Sequence, residues 1–526
     1  MKRKSLIKLF VLTIALCSFV CMLTACDENQ GTSCNHSWQE ANCVNPKTCL
    51  ECGAVEGEAI GHTEVIEPAV APDCINTGLT EGKYCSVCNE VLVEQKTAPA
   101  LKHNFKNGNC LLCGETSSEF FTFTWLTDDS YSIKTKDQIE LPSVVSIPKT
   151  YNGKPVTVIG NRAFFGYNKL TSIEIPDSVT IIQDGAFWGC SALTSIKIPD
   201  SVTKMGEAAF LGCTGLTSVE IPDSVIKISD YLFACCSGLT SVVIGDGLTS
   251  ISEYAFAECS NLESVKIGSA VKLIDDYAFS ICTNLTSVIM NDLVMSIGYG
   301  AFNACSSLAS IEIPSSVTSI GDAVFYECSS LISIKLPDSV TSVGVAMLYN
   351  CSNLTSVELP NSITAIKDYL FFGCSKLKSI KIPDTVTSIG TAAFYGCSSL
   401  TSIEIPDSVT SISDAAFYNC SKLTSVELPR SVTAISADLF HGCSSFTTIV
   451  IPDYITSIGN NAFNGCRSAY TIIIAGSVTS IGNNAFNGCT QATFYCEADS
   501  KPAGWSDTWN PHNRTVIWGC GFEFGD

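Results

Sequence analysis

Fourteen cysteines, from Cys190 to Cys489, follow one another at an interval of 23 residues without a slip. A fixed period of that size marks a stacked repeat array, in which each unit buries its apolar side only against its neighbours. The other residues recur around every cysteine: residues 193–213 read LTSIKIPDSVTKMGEAAFLGC. The consensus is L-T-S-I-x-I-P-D-S-V-T-S-I-G-x-x-A-F-x-G-C-S-x, with Leu, Ile, Val, Ala, Phe and Cys directed inward. Residues 193–198 alternate and are β-branched, which predicts a short strand, and Pro199 ends it. Residues 208–213 suit a helical or 3-10 turn on the opposite side. The fold expected over 159–495 is therefore a solenoid of parallel strands. Fifteen phenylalanine positions run from Phe164 to Phe486 with Leu348 the one substitution. At about 4.8 Å per strand they make a face roughly 70 Å long.

Apolar residues make up 46% of the 526 and charged ones 15%, so the chain beyond about residue 115 is built to bury surface rather than to stay disordered. The net charge of -21 repels nucleic acid and anionic headgroups, which argues against a nucleic-acid partner.

The first 26 residues carry Lys2, Arg3, Lys4 and Lys8, then an apolar run, then small residues before Cys26. That order is an export signal. Its end, Leu23-Thr24-Ala25-Cys26, resembles the lipobox of bacterial lipoproteins, which implies acylation of Cys26 and anchoring to the membrane through lipid alone. Removing residues 1–25 takes away those four basic residues and moves the charge from -21 to -25. Residues 27–33 read as a polar tether.

Residues 34–115 hold nine cysteines, Cys34, Cys43, Cys49, Cys52, Cys74, Cys85, Cys88, Cys110 and Cys113, with His36, His62 and His103 among them. Three C-x-x-C pairs can each aim two thiolates at one ion, and further Cys or His ligands complete the tetrahedron that zinc prefers. One parse joins Cys43, Cys49, Cys52 and His62, then Cys74, Cys85, Cys88 and His103, leaving Cys34, His36, Cys110 and Cys113. A second joins His36 to Cys43, Cys49 and Cys52, and His62 to Cys74, Cys85 and Cys88. A disulfide framework stands beside structural zinc as the other reading for an exported segment. With its Gly61-His62, Cys52-Gly53 and Cys113-Gly114 dipeptides, the segment is similar to small zinc-ribbon-like modules on surface proteins of Gram-positive bacteria.

Strand plus turn at this period is the leucine-rich repeat arrangement. The phrases TSIEIPDSVTSISDAAFYNCSKL (401–423) and TYNGKPVTVIGNRAF (150–164) resemble the BspA-like leucine-rich repeat family of bacterial surface proteins. The likeness covers about residues 120–520. It implies a curved parallel solenoid, a role in adhesion to proteins or glycans of host or bacterial surfaces, and no catalytic residues. Only His441 and His512 lie beyond the Cys-rich segment and no nucleophile motif stands out, so an enzyme is not expected. The alternative is a passive structural protein of the envelope or biofilm.

On the strand face a serine row runs from Ser172 to Ser425, beside a row of alternating Glu and Lys from Glu174 to Glu427. Opposite charges on neighbouring strands favour correct register. Val243, Ile289, Val450 and Ile473 break the charged row and are the candidate ligand-binding residues. Asp and Glu gather beyond the strands, at Asp184, Glu207, Asp230 and their equivalents, as an acidic ridge. The period-keeping cysteines are expected to be unbridged core thiols. Residues 116–158 and 496–526, rich in aromatics, are expected to cap the open ends, with Cys496 and Cys520 as a candidate bridge.

Overall fold

The computed structural model describes residues 35–106 and 108–521. The export signal, Cys26, the tether and Cys34 lie outside the described residues. The chain divides into two compact units, one ending at His103 and the other starting at Asn104.

In the first unit, Trp38–Gln39, Lys47–Cys49 and Val55–Glu56 form one antiparallel sheet, and Glu64–Glu67, Gly82–Cys85 and Val91–Val93 form another. Two strands end on the first cysteine of a C-x-x-C pair, Cys49 and Cys85. The chain then turns back tightly: Gly53 N–H donates to the Cys49 carbonyl at 3.0 Å and Asn89 N–H to that of Cys85 at 2.9 Å. Gly53 and Asn89 take the left-handed conformation (φ 74° and 59°) that closes each turn. The apolar side chains buried among the described residues of this unit are all cysteines: Cys43, Cys49, Cys74 and Cys85. They take the place that aliphatic side chains fill in an ordinary core.

The second unit opens with a hairpin of Phe105–Lys106 and Asn109–Cys110, tied to the first cap by Ser117 N–H on the Gly108 carbonyl and Asn109 Nδ2 on that of Val144. Phe121–Trp125 and Tyr131–Thr135 pair antiparallel, and Tyr131–Thr135 then pairs parallel with Lys154–Ile159, which starts the stack. Phe121 meets the first core ring, Phe164, at 6.3 Å between centroids. At the far end Trp505 and Trp509 are buried, 4.9 Å apart, and Trp505 Nε1 donates to the Val478 carbonyl. Cys520 N–H donates to the Cys496 carbonyl, but its thiol turns to the carbonyl of Ile517 and both cysteines stay free.

Between the ends the coils stack in the expected register, Ser172 on Ser195 and Ser218 on Ser241, Ser264 and Ser287. Many coils also carry a second short strand from their V-T-S-I stretch, as in Ile181–Ile182, Lys204–Met205 and Ser250–Ile251. Two parallel rows thus flank one core. Phenylalanine rings stack face to face along it, 5.1 Å apart at Phe187 and Phe210 and 5.9 Å at Phe302 and Phe325.

The segment 208–213 is a run of turns rather than a helix, and the 3-10 helix among the described residues, Ser118–Phe120, lies in the first cap. The reason is an alternation of donors. Ala208, Phe210 and Gly212 give their N–H groups to the next coil, on the carbonyls of Asp230, Leu232 and Ala234. Leu211 and Cys213 close tight turns onto Ala208 and Phe210 instead. Left-handed backbone at Ala208 and Gly212 (φ 53° and 70°) makes the alternation possible.

The ladders have gaps. The first row is paired from Val144–Ser146 to Ser195–Ile196, again from Ser218–Ile221 to Ser287–Ile289, at Ser333–Lys335 and Ser356–Glu358, at a single bridge between Lys381 and Glu404, and again from Thr448–Ile451 onward. Core residues still fill the intervening coils.

Candidate metal centre and binding face

The fourteen periodic thiols are buried, and each donates to a carbonyl of the preceding coil: Cys213 Sγ to Phe187 at 3.2 Å, Cys282 to Phe256 at 3.2 Å, Cys374 to Leu348 at 3.2 Å. Burial pushes the Cys282 and Cys328 thiols up to about 12. Such thiols are poor nucleophiles and poor metal ligands. Cys235 replaces the glycine next to Cys236 and is only partly covered; burial and the nearby Glu258 raise its pKa as well.

The cysteines of the first unit behave differently. Cys43, His62, Cys85 and Cys88 bring one ligand atom each within 4.8 Å of the others. Cys43 Sγ lies 3.5 Å from Cys85 Sγ, and Cys88 Sγ 3.5 Å from His62 Nδ1. Tetrahedral zinc at about 2.3 Å from each sulfur would separate two sulfurs by about 3.8 Å, so the donor set fits such an ion. Burial opposes a thiolate at Cys85, yet the N–H groups of Cys88 and Val87, with His62 and Cys43, bring its pKa down to about 5. Burial, followed by Cys85 itself, raises Cys43 to about 12. Glu90 places a carboxylate oxygen 3.5 Å from His62 Nε2. A carboxylate there favours the tautomer that frees Nδ1 as a ligand.

A second group joins His36, Cys49 and Cys52, with Cys52 Sγ 3.4 Å from His36 Nδ1. The N–H of Cys52, then His36, lower Cys49 to about 6. The parse that puts each histidine ahead of its cysteines contains this trio, and it also sets His62 with Cys85 and Cys88. It differs in one ligand, since Cys43 leaves the first set and takes the place given to Cys74 in the next. Cys43 sits in the first small sheet's loop but belongs with the pair at the end of the second, so consecutive modules interlock through it. Glu90 also went unnoticed, because nothing in spacing marks a carboxylate two residues past a C-x-x-C pair. Cys74 and His103 stand in the first unit, Cys110 and Cys113 on the hairpin that opens the second.

On the strand face Val243 and Ile289 are 58% and 59% exposed, but Lys266 stands between them in the pairing. Val450 and Ile473 are direct neighbours, and the row continues through Tyr495 to Ile517. Four outward apolar side chains thus lie side by side on adjacent strands. Sequence reasoning missed Tyr495 and Ile517 because the spacing shortens to 22 residues there. In the charged row, Lys335 and Glu358 form an ion pair at 2.9 Å.

The acidic positions serve the stack. Asp184, Asp276, Asp322, Asp368 and Asp414 each accept the N–H of a residue one coil later, at 2.6 to 3.0 Å. They are brackets between coils, which a residue pattern alone does not disclose.

This architecture is that of a leucine-rich repeat solenoid. The chain belongs to the BspA-type leucine-rich repeat family, whose pattern matches residues 157–286, 249–378 and 364–493. A leucine-rich repeat protein from Bacteroides ovatus is similar at 29% identity and a TM-score of 0.60, over 76% of this chain and 98% of that one. A leucine rich cell surface protein from Faecalibacterium prausnitzii shares 27% identity at a TM-score of 0.42, over 77% of this chain and 98% of that one. A leucine-rich repeat protein from Eubacterium ventriosum shares 24% at 0.41, over 62% and 93%. Among curated proteins none matches the sequence.

Proposed function

We propose that this protein is a lipid-anchored protein of the bacterial cell surface that binds a macromolecule, a protein or glycan of host or bacterial origin, through the strand face of its solenoid, and that it is no enzyme. The observation that carries this reading is the row Val450, Ile473, Tyr495 and Ile517, four adjacent apolar side chains on a face that is mostly serine, Glu and Lys and elsewhere shows only the separated Val243 and Ile289 in that row. A contiguous apolar patch with a polar surround is the usual anatomy of a recognition surface. Leucine-rich repeat solenoids are, as a class, binding scaffolds, and the family membership points the same way.

The Cys/His groups are proposed to hold zinc as a structural ion, in support of a spacer. With thiols as the only buried apolar side chains among its described residues, the first unit draws its cohesion from them. All four positions of the Cys43, His62, Cys85 and Cys88 group are protein ligands, which leaves no open site for chemistry. Acylation of Cys26 is the proposed anchor.

The test is immobilised mature protein against matrix proteins, mucin and whole cells. Saturable binding that falls when Ile473 is changed to Glu supports the reading. Uniform absence of binding returns the chain to a passive structural role. Labelled palmitate incorporated into wild type and not into Cys26→Ala checks the anchor.

A further inference from the structure

One of the gaps in the first strand row lies beside Val450 and Ile473. Thr424 N–H donates to the Thr401 carbonyl at 3.3 Å and Tyr470 N–H to that of Thr447 at 2.9 Å, but among the described residues no backbone hydrogen bond joins 425–428 to Thr448–Ile451. The two coils face each other there across a crevice of about 840 Å³. Its floor reaches the core rings of Phe440 and Phe446, 5.5 Å apart. Val426 and Leu428, whose equivalents Ile403, Ile405, Ile449 and Ile451 are buried, are only partly buried on its wall.

Departures from the repeat converge on this place. Residue 446 is Phe where every earlier coil from Leu170 to Leu423 has Leu, and Tyr454 stands where most coils have Ser. Arg430 is the one basic residue in a row that is Asp in most coils, including Asp407 and Asp453 on either side, and Ser269, Ser315, Asn361 or Gly476 in the rest. Tyr454 Oη donates across the gap to the Leu428 carbonyl, and the Arg430 guanidinium lies 5.7 Å from the Tyr454 ring. Among the described residues Arg430 makes no ion pair. Val450 and Ile473 line the same crevice. Drift would scatter such changes along the array; here the aromatic, apolar and cationic ones meet at one opening.

We propose that this crevice is a peptide-binding site, taking an extended segment of a partner protein with an apolar side chain in the opening and a carboxylate at Arg430. This rests on the surface-binding reading above and names its site and ligand class. The strand Thr448–Ile451 and the stretch 425–428 face each other with no backbone hydrogen bond between them, and so offer donors and acceptors to an extended chain. The floor accepts an apolar side chain, and the volume lies in the range of known ligand clefts. Arg430, the one cation of its row, is the complementary charge for a carboxylate.

The probe is a short N-acetylated peptide that alternates isoleucine and threonine and ends in a free aspartate, fluorescently labelled and titrated into the mature chain. Saturable binding by anisotropy is expected. Arg430→Asp and Val450→Glu should each weaken it about tenfold or more, and both restore the residue types of neighbouring coils, so folding is preserved. The same peptide N-methylated at alternate amides should lose binding, which an interaction through side chains alone would not do. No saturable binding, or full affinity in either variant or with the methylated peptide, overturns the assignment. If the chain then still binds a matrix protein or cells, only the crevice has failed; if it binds neither, the surface-binding reading has failed too.

Discussion

At the residue scale, the left-handed positions show how strictly the coil geometry is imposed. Seven of the fourteen ladder cysteines follow a glycine with φ between 70° and 80°, as at Gly212 and Gly396, yet Ile281 holds φ 60° at the same place. A β-branched residue there works against its own sterics, since even an unbranched one costs about 1–2 kcal/mol in that region. Ile281 is 43% exposed, so removing its side chain forfeits little packing. Ile281→Gly is expected to stabilise the solenoid by about 1 kcal/mol after the entropy of the more flexible unfolded chain is counted, read from denaturant midpoints. Glu253 gives a second case with a pH signature. Burial, then Asp230, Asp276 and Asp275, raise its carboxyl above the usual range. A raised folded pKa in an acid means that ionisation penalises the folded state: the penalty is complete above the folded value and vanishes below the unfolded one, about 4.3. Glu253→Gln should therefore raise Tm at pH 7 and leave it unchanged near pH 3. An equal gain at both pH values would show that the charge is not the cause.

At the scale of the element, one coil is a pair of short strands and a turn clamped around a phenylalanine ring. Phe394 stacks between Phe371 and Phe417 at 5.2 and 5.4 Å, fully buried. Phe394→Ala should cost about 3–5 kcal/mol, while Phe394→Leu should cost about 1–2, because Leu348 already fills the same slot two coils earlier. Hydrogen exchange should show the loss concentrated in the coils beside residue 394, since stability in a stack is passed between neighbours. Much of this unit was legible beforehand. The inward Ile, Phe and Cys and the outward Ser and Glu follow from a period of two within the strand and 23 between strands. What was not legible depends on backbone geometry: the second strand row, the alternating donors that replace a helix at 208–213, and the aspartates that catch amides of the next coil. The metal ligands were legible as a set and only partly as groups. Spacing permits several partitions of Cys43, Cys49, Cys74 and their pairs, and only the fold decides that Cys43 crosses to Cys85 and Cys88.

At the scale of the whole molecule, two units are held by different physics. The solenoid, 116–521, rests on a continuous aliphatic and aromatic core. The first unit, 35–103, rests on its thiols. A ligand that binds only the folded state supplies folding free energy, and withdrawing it withdraws that energy. Treatment with a strong zinc chelator at pH 7 is therefore expected to abolish amide protection across 35–103 and leave 116–521 as protected as before, with about one zinc per four-ligand group released to a colorimetric indicator. Because the ligands must be deprotonated, acid should do the same: affinity falls as pH drops through the lowered values of about 6 at Cys49 and about 5 at Cys85. A disulfide framework gives the opposite pattern. It would ignore the chelator and open under a reducing agent, with the thiol count rising as the unit unfolds. The two treatments, applied separately to one preparation, decide whether an ion or a bridge keeps Cys43 beside Cys85.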